Sequence, residues 1–139
     1  MNEQTEVKKI GAAMVVGGGI GGMQAALDLA ESGIKVYMVE SKPSIGGVMS
    51  QLDKTFPTND CSMCIISPKL VECGSHPNIQ LLTLSELTAL NGEVGNFQAT
   101  VRQYSRFIDL SKCTGCGECA TVCPVELGNE YDEGLSIRK

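Results

Sequence analysis

The apolar residues of this chain fall into short blocks whose spacing changes along its length. Residues 12–16, Ala-Ala-Met-Val-Val, are continuously apolar, the pattern of a short buried strand. From residue 20 the spacing turns helical. Met23, Ala26, Leu27 and Ala30 share one face, and Gly33 is a natural stop after Ser32. Residues 35–39 read as a second strand that ends at Glu40. Residues 51–60 read as irregular loop, and a short helix is expected to close at Glu72, after Pro68. Phe97, Ala99 and Val101 alternate with Gln98, Thr100 and Arg102, which predicts a half-exposed strand, and Asn91-Gly92 predicts the turn before it. With a further strand expected over 79–83, residues 79–108 read as a small hairpin or meander.

Glycines stand where the first strand meets the first helix. Gly17-Gly-Gly19-Ile-Gly-Gly22 is a G-x-G-x-x-G run, and strand, glycines, helix, strand and acid follow in the order of a Rossmann-type βαβ half. The roles follow from the residue types. Gly17 makes the tight turn, Gly19 lets backbone approach a pyrophosphate, and Gly22 with small Ala26 lets helix and strand pack closely. The helix N-terminus offers free N–H groups and the positive end of its dipole. Glu40 is placed to accept from a ribose diol and to repel a 2′-phosphate. Glu40-Ser41-Lys42-Pro-Ser-Ile-Gly46-Gly47 resembles flavoprotein families in which the segment after the acid returns to the dinucleotide, which favours FAD over NAD. Gly17, Gly19, Gly22, Glu40, Ser41, Lys42, Gly46 and Gly47 are therefore the candidate FAD-binding residues.

Near the C-terminus, Cys113-Thr-Gly-Cys116-Gly-Glu-Cys119-Ala-Thr-Val-Cys123-Pro124 is the C-x2-C-x2-C-x3-C-P run that holds cubane iron–sulfur clusters. Thiolates at this spacing reach three corners of a cube if the loop winds tightly, and Gly115 and Gly117 permit that winding. In two-cluster ferredoxins the fourth cysteine serves the other cluster. Two clusters take eight thiolates and the chain has 7 cysteines, so one or two [4Fe-4S] clusters are expected, completed from outside the chain. Cys61 and Cys64 join the candidate metal ligands, with a redox dithiol or two buried thiols as alternatives. Cys73 reads as a small buried hydrophobe. His76, the one histidine, sits in a turn beside Pro77, so Ser-His-Asp chemistry has little support, and no catalytic residue is identified.

Composition narrows the partners. A net charge of −5 has the wrong sign for coating phosphates, and aromatics at 4% with no Trp offer no stacking surface for single strands. Nucleic acid is excluded on those grounds. No segment has the length of a membrane-spanning helix, and the polar start lacks a signal-peptide core. The expected compartment is the reducing cytoplasm, where cysteines serve metals more often than disulfides.

Taken together, the chain from about Lys9 resembles the A subunit of heterodisulfide reductase and its relatives in anaerobes. The resemblance rests on Val15-Val-Gly-Gly-Gly-Ile-Gly-Gly and on Ser44-Ile-Gly-Gly-Val-Met-Ser-Gln-Leu-Asp-Lys-Thr-Phe-Pro-Thr-Asn-Asp-Cys-Ser-Met-Cys. Pro68-Lys-Leu-Val-Glu, His76-Pro-Asn-Ile, Gly95-Asn-Phe and Cys113-Thr-Gly-Cys-Gly-Glu-Cys add to it. It implies an FAD domain with an inserted ferredoxin domain, acting in flavin-based electron transfer. It also implies partners: other subunits of a heterodisulfide-reductase-like complex and a ferredoxin or hydrogenase-type electron donor. The expected fold class is α/β, with an FAD-binding βαβ unit over 9–50, a connecting segment with the Cys61/Cys64 loop and β-hairpin over 51–105, and an incomplete ferredoxin-like segment over 106–139. The chain is expected to be a fragment or split subunit of an oxidoreductase, inactive alone. Two other readings compete: a small ferredoxin-type carrier without a working flavin site, and a zinc-stabilised assembly subunit.

Overall fold

The computed structural model describes residues 11–139, so the first two residues of the expected 9–50 segment lie outside the described residues. The described chain divides into a unit ending at Tyr104 and a second, Ser105–Lys139.

In the first unit, β1 (Ala12–Val16), α1 (Ile20–Glu31) and β2 (Lys35–Val39) form a βαβ motif. A 3₁₀ turn, Gly47–Gln51, leads to α2 (Ser62–Ser75), which crosses to β3 (Ile79–Leu82). The three strands make one parallel sheet in the order β1-β2-β3. Val16 pairs with Val39 in register, and Val39 with Leu82, so all three strands end together. One face of the sheet is covered by the helices. Met23, Ala26, Leu27 and Ala30 of α1 are buried against Val36 and Met38 of β2, Ile66 and Cys73 of α2, and Ile79 of β3. These side chains leave water together, and that burial is the main force holding the unit. Across the sheet, Met14 and Val16 remain 36% and 61% exposed, and Ala13 and Val15 are only half-buried, so β1 is not the buried strand that its continuously apolar sequence predicts.

Three elements differ from expectation. The helix around Pro68 starts at Ser62 and runs to Ser75, with Pro68 inside it. Pro68 removes one helical N–H, the partner of the Cys64 carbonyl, at a point where both residues are exposed. The stripe Ser62, Ile66, Leu70 and Cys73 packs inward at helical spacing, and that burial outweighs the lost bond. Residues 79–82 do not open a hairpin. They pair in parallel with β2, and the hairpin is made by β4 (Ser85–Glu93) and β5 (Asn96–Gln103) alone. Asn91 and Gly92 lie within β4, and the turn falls at Val94-Gly95. Gly92 is needed for another reason: its φ is +106°, and a Cβ there would collide with the Asn96 carbonyl oxygen across the ladder. Gly92→Ala is expected to destabilise the hairpin by about 1–3 kcal/mol. A lowered urea midpoint of the whole chain checks this, and an unchanged midpoint refutes it.

The second unit holds a short helix, α3 (Glu118–Thr121), and a small antiparallel pair of β6 (Leu127–Gly128) with β7 (Ile137–Arg138). Among the described residues no helix is long and apolar enough to cross a membrane.

Candidate cofactor sites

The glycine loop sits at the C-terminal ends of the parallel strands, where open α/β sheets bind ligands. Gly17 has φ +103°, the left-handed turn expected of it, and its N–H donates to the Val39 carbonyl at 2.8 Å. Gly19 is the N-cap of α1 and provides no side-chain cap, so the first amides of the helix keep their donors. A Cβ at Gly19 would meet nothing within 4 Å, whereas one at Gly22 would collide with the Gly17 carbonyl oxygen. The loop is thus open above Gly19 and closed beneath Gly22, the shape of a cradle for a pyrophosphate.

Glu40 lies under this loop and is 8% exposed. Its Oε2 accepts from the Gly18 N–H at 2.6 Å, and its Oε1 accepts from the Lys42 N–H at 2.8 Å and the Ser41 hydroxyl at 3.2 Å. Burial disfavours the charged form. The Lys42 and Gly18 amides, the Ser41 hydroxyl and the Lys42 charge together outweigh it and hold the carboxyl below its ordinary value. Glu40 backbone is fixed as well, its N–H on the Leu82 carbonyl and its carbonyl accepting from Ser85. A hollow of ≈ 310 Å³ opens here, lined by Val16, Gly17, Val39, Glu40, Ser41 and Ser85 among others.

Gly46 and Gly47 return to the loop. The Gly46 N–H donates to the Gly18 carbonyl at 2.7 Å, and a Cβ at Gly47 would lie 2.9 Å from the Gly19 Cα. Their φ values of +128° and +57° favour glycine. Gly17, Gly19, Gly22, Glu40, Ser41, Lys42, Gly46 and Gly47 therefore gather around one loop. Gly18 was not among the expected residues. Its amide holds Glu40, and a Cβ on it would meet Ile45 at 2.6 Å and Glu40 at 3.1 Å. Its place as the x of G-x-G hid it, though three consecutive glycines hinted that the middle one also lacks room for a side chain.

In the second unit, Gly115 and Gly117 take φ +72° and +81°, and Gly117 caps α3 in the left-handed region. Cys113, Cys116 and Cys119 are exposed free thiols and Cys123 is half-buried. The Glu118 amide and the Thr114 hydroxyl hold the Cys116 thiol below its ordinary value, as N–H donors around a thiolate do. Among the described residues, no three metal-binding side chains converge. Cys61 and Cys64 are joined to each other in a disulfide, and Cys73 is buried, with burial and then Glu72 pushing its thiol up. His76 caps the end of α2, and its Nδ1 accepts from the Asn78 N–H at 3.1 Å.

A glycine cradle over an anchored acid, on a parallel sheet, defines the class: a Rossmann-type dinucleotide-binding oxidoreductase domain, followed by a ferredoxin-type cysteine loop. The comparisons with known proteins agree. A family of FAD dependent oxidoreductases matches residues 13–63, and a 4Fe-4S binding domain matches residues 106–126. FAD and [4Fe-4S] are accordingly the cofactors of this sequence.

The chain is 54% identical over 99% of its length to the second iron-sulfur A subunit of the CoB--CoM heterodisulfide reductase of Methanopyrus kandleri, and covers 21% of that protein. It is 53% identical to the A subunit of the H(2):CoB-CoM heterodisulfide,ferredoxin reductase of Methanothermobacter marburgensis, over 99% of this chain and 21% of that one. To a protein of Archaeoglobus profundus described as like the A subunit of heterodisulfide reductase the identity is 57%, over 90% of this chain and 18% of that one. The chain belongs to the family of heterodisulfide reductase A subunits, and it spans about a fifth of the length of these relatives. Among solved structures, L-proline dehydrogenase from P. horikoshii shares the fold, with a TM-score of 0.57 at 21% identity over 68% of this chain and 19% of that one.

Proposed function

We propose that this chain is the FAD- and cluster-bearing electron-transfer segment of a heterodisulfide-reductase-type complex in the cytoplasm of an anaerobe. The partners in this reading are the other subunits of that complex and a ferredoxin or hydrogenase-type donor. Two relatives' names support the substrate class, since one names a heterodisulfide and another a heterodisulfide together with ferredoxin. FAD, when bound, supplies steps of one or two electrons. The observation that carries the reading is the cradle: a helix N-terminus without a side-chain cap, open above Gly19, over a Glu40 held ionised.

Each residue has a task in this reading. The turn at Gly17 and the close packing at Gly22 set the loop, and the α1 amides beyond Gly19 bind the pyrophosphate. Glu40 accepts the ribose hydroxyls on its remaining lone pairs, while Ser41 and Lys42 hold its carboxylate in place. Gly46 and Gly47 let the returning segment close on the loop. Cys113, Cys116 and Cys119 hold three corners of a cluster, and Cys123 reaches a second.

Glu40→Ala tests the flavin site. It is expected to weaken FAD binding by about 1–3 kcal/mol, the scale of a hydrogen bond to a charged group. In the wild-type chain the sign of the pH effect is fixed by the lowered carboxyl. The stability Glu40 contributes is fully present above its ordinary value of 4.5 and is lost as pH falls through the lower folded value. Flavin fluorescence titration against pH checks both. Equal affinity in the mutant, with an unchanged acid limb, removes Glu40 from the site. A colourless protein holding zinc points instead to the assembly subunit.

A further inference from the structure

Cys61 and Cys64 lie outside the glycine loop and outside the ferredoxin run of the sequence. Cys61 is the N-cap of α2, and its Sγ accepts from the Cys64 N–H at 3.2 Å. The two Cα atoms are 5.2 Å apart and the sulfurs are bonded, whereas the other five cysteines, the four of the ferredoxin run among them, are free. Both residues of the pair are exposed. Between them Ser62 is fully buried and its N–H is anchored on the Asp53 carbonyl, and Cys61 bridges to Lys54. The backbone is thus pinned from beneath while both cysteines stay accessible to solvent. A structural purpose is a poor explanation. A bridge across three residues closes so short a loop that it restrains the unfolded chain least of all disulfides.

We propose that Cys61 and Cys64 form a two-electron dithiol–disulfide couple that exchanges with dithiols and disulfides. In the reduced pair Cys61 is the nucleophile, because the helix N-terminus and the Cys64 amide favour its thiolate. Its sulfur attacks a substrate disulfide. One substrate thiolate leaves and takes a proton, and a mixed disulfide remains on Cys61. Cys64 gives up its proton and attacks the Cys61 sulfur, which closes the internal bond and releases the second substrate thiol. Two electrons and two protons pass to the substrate, and the pair becomes the disulfide. An external dithiol reverses every step, its own sulfurs ending as a disulfide.

The test uses the full chain, equilibrated anaerobically at graded ratios of reduced to oxidised dithiothreitol, acid-quenched and alkylated. Digestion at Lys54 and Lys69 isolates residues 55–69, which contain only this pair of cysteines. The expected result is interconversion of a bridged and a doubly alkylated peptide, with the singly alkylated form below about a tenth throughout. In Cys64→Ser, Cys61 is expected to alkylate at neutral pH at least about tenfold faster than buried Cys73, and to trap glutathione as a mixed disulfide. If that variant does not fold, the wild-type titration decides alone. Two results overturn the proposal: a peptide that stays doubly alkylated at every ratio, or a pair shielded from both reagents by copurified iron or zinc until a chelator is added. The readout requires no flavin, so it stands or falls apart from the FAD reading.

Discussion

Gly22→Ala is expected to remove most of the stability of the first unit. The added carbon would strike the Gly17 carbonyl oxygen, lie 3.1 Å from the carbonyl carbon and 3.4 Å from Val15 Cγ1. Two of these three atoms are backbone, so no rotamer change relieves the contact. Relief requires α1 to lift from β1, and Met23, Ala26 and Leu27 then lose their burial against the sheet. A cost of about 4–5 kcal/mol fits the exceptional end of single-residue effects. It approaches the ~5–15 kcal/mol that holds a typical domain together. Circular dichroism with urea denaturation checks it, and a variant with the wild-type midpoint contradicts the packing described.

Cys116→Ser is expected to abolish the cluster, with the loss of about four iron atoms per chain. Cys116 is the second thiol of the run, and the Glu118 amide and Thr114 hydroxyl hold it below its ordinary value. Serine keeps the shape but removes the sulfur. In the wild-type chain, the three-plus-one division of the run predicts at most one labile cubane, because the other ligands of the second are expected largely from outside it. Metal ligation couples to folding, so the second unit is expected to melt first when iron is stripped. Anaerobic reconstitution with iron counting and EPR measures both. Two stable four-iron clusters in this chain alone would refute the division.

The glycine turns were more legible in the sequence than some of the elements around them. Gly17 and Gly22 were readable because one takes a left-handed turn and the other has no room for a side chain, and the helix and acid around them repeat a known order. Gly115 and Gly117 were readable for the same reason, as the left-handed turns confirm. Gly18 was not, because its constraint comes from Ile45 and Glu40, distant in sequence and close only once the chain folds. Pro68 hid α2, since a local rule about helix breaking was set against burial of Ile66 and Cys73 that no local rule sees. β3 was misplaced because a short apolar run fits a hairpin or a parallel sheet equally well. Its true partner, β2, lies across the whole α2 crossover. Gly92 looked like a turn and serves a close cross-strand approach instead.

The bond from the Gly18 amide to Glu40 has a consequence for how a ligand is met. With three donors already on the carboxylate, the acid does not wait for a ribose in order to find its place. The loop and the acid form a template set during folding, and an arriving dinucleotide orders few new bonds in the protein. Such a site captures its ligand with little entropic resistance. The same coupling makes the acid a hidden strut of the loop. Neutralising it loosens the empty cradle too, so a flavin-free chain is also sensitive to acid.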